Sequence, residues 1–478
     1  MSLSKVIVVD LDGTLTLTDT LYESILVLVR IKPFVLFLLP FWLLKGTEYL
    51  KLRVAGHCLL DVTTLPYNLP FIDWLKEQKI KGKKIVLCTA ANDHIAQAVA
   101  KHLDLFDEVI ASDANTNLKS INKHKLLQER YGDKGYDYAG NSSADIEVWA
   151  GAAHAIVVNA SEAVQLKASQ VAPLSRSFPS QSVEILDWVR ALRLHQWLKN
   201  LLLFVPLVAA DQFSNIQSLV TLVIAFISFS LCASSVYITN DLLDLESDRS
   251  YPRKKHRPFA AAKLPIALGV GIVPLLIGVS IVLGVIVGTE FLLVLLLYLL
   301  LTVAYSLVLK RVVLVDCLTL ATLYTIRIIA GAGAVSVSLS FWLLAFSVFI
   351  FLSLALLKRY AELVVLMHEG KSVAHGRGYI VSDASLVQTL GVSSGYISVL
   401  VIALYARSAD VVSVYAQPIA IWFMLPILIF WVSWVWLKAA RGEMHDDPIV
   451  FAVKDKASLL VALFTAVVFI YAVNGMEI

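Results

Sequence analysis

From about Leu192 to its end the chain is dominated by apolar runs close to the 20 residues a helix needs to cross a bilayer. Hydrocarbon offers no partner to exposed N–H and C=O groups, so uninterrupted runs of this kind are expected to satisfy their backbones internally, as helices. Nine are expected, at roughly 198–211, 218–239, 265–287, 291–309, 313–335, 340–357, 385–406, 417–437 and 458–474. Hydrophobic residues make up 58% of the 478, and the mean hydropathy of +0.74 lies well above that of a soluble globular chain. The sequence predicts an integral membrane protein.

The second and third runs enclose NDLLDLESDRSYPRKKHRP, Asn240 to Pro258. If helix continues through Asp248, then Asp241, Asp244 and Asp248 stand at i, i+3 and i+7 on one face. A row of carboxylates at a membrane edge is costly without a cation among them. Magnesium suits such oxygen donors and commonly links carboxylates to substrate phosphates. Arg249, Arg253, Lys254, Lys255, His256 and Arg257 follow at once and supply partners for further phosphate groups. Basic residues also flank membrane helices for no catalytic reason, so a solvating loop is the alternative.

If the N-terminal part is cytoplasmic, the loops on its side of the membrane hold sixteen lysines and arginines, and the opposite loops hold only Arg407. That asymmetry predicts that the aspartate row faces the cytoplasm; the expected location is the bacterial inner membrane. The net charge of +3 is too small to imply nucleic-acid binding. Cys58, Cys88, Cys232 and Cys317 have neither metal-like spacing nor a pairing pattern, as in a reducing compartment. The first apolar run, Val6 to Val9, ends in aspartate and is not a signal peptide.

Residues 1–165 mix charged and apolar segments as a soluble α/β domain does, 166–186 are rich in Ser, Ala and Pro and read as a linker, and 187–478 form the membrane domain. In the first part Lys5 to Val9, Lys84 to Cys88, Glu108 to Ala111, Tyr136 to Ala139 and Ala155 to Val158 are short β-rich runs. Helical patterns between them predict a Rossmann-like parallel sheet covered on both faces. The first strand leads into Asp10-Leu11-Asp12-Gly13-Thr14, placing two aspartates at the crevice where such sheets bind ligands.

These motifs resemble the haloacid-dehalogenase-like phosphohydrolases. The resemblance implies Asp10 as nucleophile and Asp12 as general acid/base, both also metal ligands. It implies Thr89 in VLCTAAN as a phosphoryl-binding residue, and Lys123 in NLKSINKHKLL as the neutralising lysine, with Lys119 its rival. The fourth motif, Gly140-Asn141-Ser142-Ser143-Ala144-Asp145, departs from the family: Asn141 stands where an aspartate usually binds magnesium, and Asp145 remains as the acid. An inactive docking module is therefore the alternative. Residues 19–75 would form a cap. Within it Ile25 to Leu44 is strongly apolar, but only the 11 residues from Phe34 to Leu44 run without a charge, too few to span. A cap lying on the membrane surface is expected, with a buried core helix as the alternative.

Residues 187–478 resemble the UbiA-type intramembrane prenyltransferases in helix number and in NDLLDLESD. Members of that superfamily carry a second aspartate-rich motif after helix six; here Lys358-Arg359-Tyr360-Ala361-Glu362-Leu363 stands in its place. With Gln196-Trp197-Leu198-Lys199-Asn200 and GEMHDDPIVFAVKD, this is similar to the decaprenyl-phosphate phosphoribosyltransferase branch. The resemblance implies transfer of 5-phosphoribosyl from phosphoribosyl pyrophosphate to a polyprenyl phosphate, with Mg2+ and inversion at the anomeric carbon. Asn240, Asp241, Asp244 and Asp248 would hold the metal and diphosphate, and Arg253, Lys255 and Arg257 the donor phosphates. Lys358, Arg359 and Glu362 would complete the site, with Lys358 and Glu362 sharing a face at i, i+4. Lys199 and Arg327 are further substrate-binding candidates; an interfacial lysine beside Trp197 and an arginine paired with Asp316 are their ordinary explanations. The fused phosphatase would remove the 5-phosphate. A prenyltransferase acting on another acceptor, and a transferase with a non-catalytic N-terminal module, stay open, as does a homo-oligomer.

Overall fold

The computed structural model describes residues 4–475 apart from 58–59, 113–117, 119, 211–214, 253, 369, 371–377, 410, 412–414 and 445–446. Lys119, Arg253, His445 and Asp446 thus lie outside the described residues. The chain forms two compact units, one of residues 1–192 with Tyr237–Pro274, the other of Arg193–Val236 with Leu275–Ile478.

The first unit is built on a six-stranded sheet: β1 (Val6–Val9), β2 (Lys84–Asn92), β3 (Glu108–Ser112), β4 (Asp137–Gly140), β5 (His154–Ala160) and β6 (Leu174–Pro179). Their order is β3-β2-β1-β4-β5-β6, and every pairing is parallel. Alternation sorts β1 between two cores: Ile7 and Val9 pack with Phe71, Trp74 and Leu87, while Val8 packs with Val86, Tyr138 and Trp149. All five expected strands form. The expected linker does not: helix Glu162–Val171 runs into it, and β6 is an edge strand inside it. Of β6 only Leu174 and Phe178 carry large apolar side chains, Phe178 packing on Phe71 and Trp74, so periodicity had little to register.

The cap begins with α1 (Thr20–Ile31), followed by a 3-10 turn at Pro33–Phe37 and helices Leu39–Leu44 and Thr47–Ala55. Val27, Leu28, Val35, Leu50 and Val54 make its small core. Phe34 and Leu44 remain 83% and 85% exposed, so the apolar tip is not a buried core helix. After the cap, α2 (Ile121–Tyr131) carries Lys123.

Eight helices among the described residues are long and apolar enough to cross a membrane. They include α3 (Ile216–Leu243), α5 (Val315–Val335) and α6 (Phe341–His368); the short α4 (Leu245–Ser250) follows α3. The ninth expected span, 198–211, is instead a 3-10 helix, Leu194–Phe204, that continues as Val205–Ala209. Pro206 sits at that change of pitch, and the paired segment has only the 16 residues of Leu194–Ala209. A second difference concerns α6, which runs eleven residues past the expected end at 357. It continues because the charges there are paired inside the unit. Close approach is set by small residues: a Cβ on Gly331 would lie 2.0 Å from the Leu203 carbonyl oxygen. The last short helix used below is α7 (Pro448–Lys454).

Candidate active sites

In the first unit β1 delivers Asp10 beside the C-terminal ends of β2 and β4. Lys123 Nζ on α2 lies 2.7 Å from Asp10 Oδ1 and 3.0 Å from the Tyr138 hydroxyl. That hydroxyl donates to Asp145 Oδ1 at 2.7 Å. Four side chains from three elements and the β4 loop form one hydrogen-bonded row. Burial raises the Asp10 carboxyl even with the Lys123 ammonium beside it, and Lys123 is held protonated by Asp10 against its own burial. Lys123, expected as the neutralising lysine, is the one that lies against Asp10. Tyr138 was not foreseen, although a tyrosine inside a buried strand needs a partner for its hydroxyl.

Asp12 follows in a tight turn where Gly13 has φ +75°, and a Cβ on Gly13 would meet Asn141 Nδ2 at 2.0 Å. Only glycine allows that approach. Asp12 Oδ1 accepts from Thr20 N at 2.8 Å, the first turn of α1. Burial, reinforced by the charge of Asp19, pushes the Asp12 carboxyl up to about 7. A carboxylic acid that keeps its proton near neutrality is suited to protonating a leaving oxygen. Thr89 is buried at the end of β2, where its hydroxyl accepts from Ala91 N at 3.0 Å.

Asp145, expected as a metal ligand, spends Oδ2 on the backbone amides of Asn141 and Ser142 and the Ser142 hydroxyl, at 3.1, 2.9 and 3.0 Å. It acts as a cap that shapes the fourth motif. Its Oδ1 faces the Tyr138 hydroxyl, and Asp10, Asp12 and Asp145 do not come together as a three-ligand metal cluster among the described residues.

The aspartate row belongs to the same unit. Helix α3 ends at Leu243 and Asp244 starts α4, so the face is not one continuous helix. The convergence survives the break: Asp241 Oδ1 and Asp248 Oδ2 lie 3.0 and 2.7 Å from Nη1 of Arg257. Both carboxylates are 2% exposed. Burial raises the Asp248 carboxyl although Arg257 opposes it. One cationic group already bridges two buried carboxylates, and an all-oxygen donor set suits a hard divalent ion. Asp241 and Asp248 therefore offer a divalent ion two converging carboxylates, while no group of three potential metal ligands comes together among the described residues. Arg257, expected at the donor phosphates, pairs here with both acids. Asn240 is half-buried on the last turn of α3, and Lys255 is exposed.

The second unit holds two polar clusters. In one, Lys199 Nζ and Lys358 Nζ meet on Asp447 Oδ2 at 2.8 and 3.0 Å, with Tyr324 OH 3.5 Å from Oδ1. Burial would raise the Asp447 carboxyl, but Lys358 and Lys199 hold it well below the usual range. Asp447 also caps α7, accepting from Ile449 N at 3.2 Å. The aspartate before Pro448 could have been read as a cap, whereas its lysine partners, 248 and 89 residues away in the chain, could not.

In the other cluster Arg359 Nε bonds Asp316 Oδ2 at 2.5 Å, Nη1 bonds Glu362 Oε2 at 2.7 Å and Nη2 bonds Tyr305 OH at 3.1 Å. Tyr379 OH donates to Asp316 Oδ1 at 2.7 Å. Glu362 thus pairs with Arg359 at i, i+3, and Lys358 reaches Asp447 in the other cluster. Arg327 does not take Asp316 either. It is 4% exposed, donates to Asn200 Oδ1 at 2.9 Å and to the Leu323 carbonyl, and lies against the rings of Phe229, Tyr298 and Tyr324.

These arrangements define a helical membrane transferase joined to a phosphohydrolase-type domain. Residues 201–460 match the UbiA prenyltransferase family and residues 7–149 match the haloacid dehalogenase-like hydrolases. The chain belongs to the UbiA prenyltransferase family and carries the hydrolase-like domain on its N-terminal side. Over 470 residues it is 34% identical to the uncharacterized protein y4nM of Sinorhizobium fredii, covering 98% of this chain and 90% of that one. It is 35% identical over 281 residues to the nodulation protein NoeC of Azorhizobium caulinodans, covering 59% and 91%. It is also 32% identical over 284 residues to the decaprenyl-phosphate phosphoribosyltransferase of Mycobacterium tuberculosis, covering 58% and 90%.

Proposed function

We propose that the membrane domain transfers a 5-phosphoribosyl group from phosphoribosyl pyrophosphate to a polyprenyl phosphate at the cytoplasmic face of the inner membrane, and that the fused domain then removes the 5-phosphate. The similarity to a decaprenyl-phosphate phosphoribosyltransferase supports the first step. The observation that carries it is the cationic cluster of Lys199 and Lys358 around Asp447. Two ammonium groups that already hold one buried anionic oxygen suit a phosphate oxygen, and a second aspartate-rich motif would repel it.

In the transfer the bond from the anomeric carbon to the diphosphate breaks, and the diphosphate leaves with the electron pair. An oxygen of the lipid phosphate forms the new bond from the opposite side, giving inversion. That oxygen is already anionic and requires no general base. Magnesium held by Asp241, Asp244 and Asp248 would supply charge neutralisation for the departing diphosphate. Lys199 and Lys358 orient the acceptor, and Arg359, fixed by Asp316 and Glu362, keeps the end of α6 in place.

In the second step an Asp10 oxygen attacks the 5-phosphate and Asp12 gives its proton to the leaving sugar oxygen. Lys123 holds the Asp10 carboxylate, and Thr89 stands at the phosphoryl position. Water then releases inorganic phosphate from the aspartyl phosphate. The cap's apolar tip accords with a lipid-linked substrate.

Purified protein in detergent is given labelled phosphoribosyl pyrophosphate, a polyprenyl phosphate and magnesium, and lipid label and free phosphate are followed separately. The expected result is label in lipid followed by phosphate release, with Asp10→Asn losing the release alone. Consumption of an isoprenyl diphosphate with no sugar entering lipid would return the domain to prenyl transfer.

A further inference from the structure

Among the described residues, three ion pairs join the N-terminal domain to the segment carrying the aspartate row, all inside one compact unit. Two are open to solvent on at least one side: Lys263 with Asp187 at 3.5 Å and Arg30 with Glu246 at 3.6 Å. Exposed pairs of that length contribute little. The third is of another kind. Arg249, next to Asp248 on α4, places Nη2 2.7 Å from Glu23 Oε1 and Nη1 3.2 Å from Glu23 Oε2. The side chains are 8% and 1% exposed.

The rest of the contact is built around that fork. Arg249 Nε donates to the Ala260 carbonyl at 3.0 Å, tying α4 to the far end of its own loop, and Nη1 also reaches the Thr64 carbonyl at 3.4 Å. Glu23 accepts a further bond from the Thr18 hydroxyl at 2.9 Å. A buried ion pair is rarely the cheapest way to join two surfaces; what a bidentate Arg–carboxylate pair adds is a defined geometry. Here it defines the position of the residue beside Asp248, whose carboxylate must converge with that of Asp241. It does so from α1, whose first turn also receives Asp12 through Thr20 N.

We infer that Glu23 and Arg249 are positioning residues for the transferase: the N-terminal domain holds the aspartate loop in its working shape through this pair. The inference rests on the transferase reading for its activity readout, and on the fold alone for its structural one. It gives the fused domain a second task, independent of any phosphate it removes. Loss of the pair frees α4 and the Asp248 carboxylate together, so donor and metal binding weaken before the acceptor is affected.

The test compares full-length wild type with Glu23→Ala, Arg249→Ala and the double variant, with Asp73→Ala on the exposed face of the same domain as control. Hydrogen exchange of the 240–260 peptides is read without substrate, beside the donor and magnesium concentrations giving half-maximal transfer. The expected result is faster exchange in 240–260 and half-maximal concentrations raised on the order of tenfold or more in each single variant. The double variant should be no worse than either single one, since both remove the same interaction. Arg249→Lys keeps the charge but not the fork and is expected to recover only part of the loss. Wild-type exchange in 240–260 and wild-type half-maximal concentrations in a folded Glu23→Ala protein would overturn the inference. If the wild type itself moves no ribosyl label, the reaction reading fails, and the exchange data still decide the positioning role.

Discussion

At the scale of single residues, the chemistry of this chain depends on carboxylates whose surroundings differ. Asp12 sits buried near Asp19 with its proton retained to about 7, whereas Asp447 is kept ionised by two lysines. The difference sets opposite pH responses. As pH rises through about 7, Asp12 loses the proton it would give to the leaving oxygen. The rate of phosphate release from a soluble phosphomonoester is therefore expected to fall on the alkaline side of neutrality, read as kcat against pH. A flat profile to pH 9 would remove Asp12 from the acid role. For Asp447 the folded value lies below the unfolded one, so its contribution to stability is complete above roughly pH 4 and is lost as pH falls further. The residues that sequence reasoning missed are partners of this kind. Tyr138 carries no motif of its own, Asp447 lies in GEMHDDPIVFAVKD with no role that the motif assigns it, and Asp316 is suggested by the sequence only as a partner for Arg327. Each acquires its role from a side chain brought to it by folding.

At the scale of elements, what was legible was whatever periodicity or composition expresses. Five strands of the sheet and eight of the membrane helices were readable because each carries a continuous apolar run. The sixth strand and the broken Leu194–Ala209 segment were not, because Ser, Arg and Pro interrupt the one, Lys199, Asn200 and Pro206 interrupt the other, and their order depends on neighbours. Small residues show the same dependence. The run from Ala330 to Ala334 reads only as permissive, yet Gly331 lies directly against the backbone of Leu203. Gly331→Ala is expected to destabilise the membrane domain by about 1–3 kcal/mol through overpacking, since a carbonyl oxygen cannot rotate away. A thermal melt in detergent checks it, with an unchanged midpoint counting against so close a contact. Removing one partner of a buried pair is the harsher change. Asp316→Ala leaves Arg359 and the Tyr379 hydroxyl without that acceptor and is expected to cost ~3–5 kcal/mol in the same melt.

At the scale of the whole molecule, the order of the chain and the composition of its units disagree. Tyr237–Pro274 lies within the stretch matched by the transferase family, yet it packs as one unit with residues 1–192. Truncating the chain before residue 193 would therefore strip the aspartate loop of its Glu23 and Asp187 partners. Chelation tests the metal in the intact protein. EDTA is expected to abolish ribosyl transfer, and added magnesium to restore it; transfer that persists in excess chelator would show that Arg257 alone meets the needs of the aspartate row.

The residues alone determined that this chain crosses a membrane, carries a parallel α/β domain first, and brings an aspartate row to the end of a helix. Those properties follow from hydrophobic length, strand and helix period, and charge spacing, all of which are local. Tertiary structure decided which charges meet: Arg257 with two aspartates, Lys199 with Lys358 on Asp447, Arg359 with Asp316, and Arg249 with Glu23. An ion pair depends on distances of a few ångströms between residues that stand up to 248 positions apart, and no local period records that.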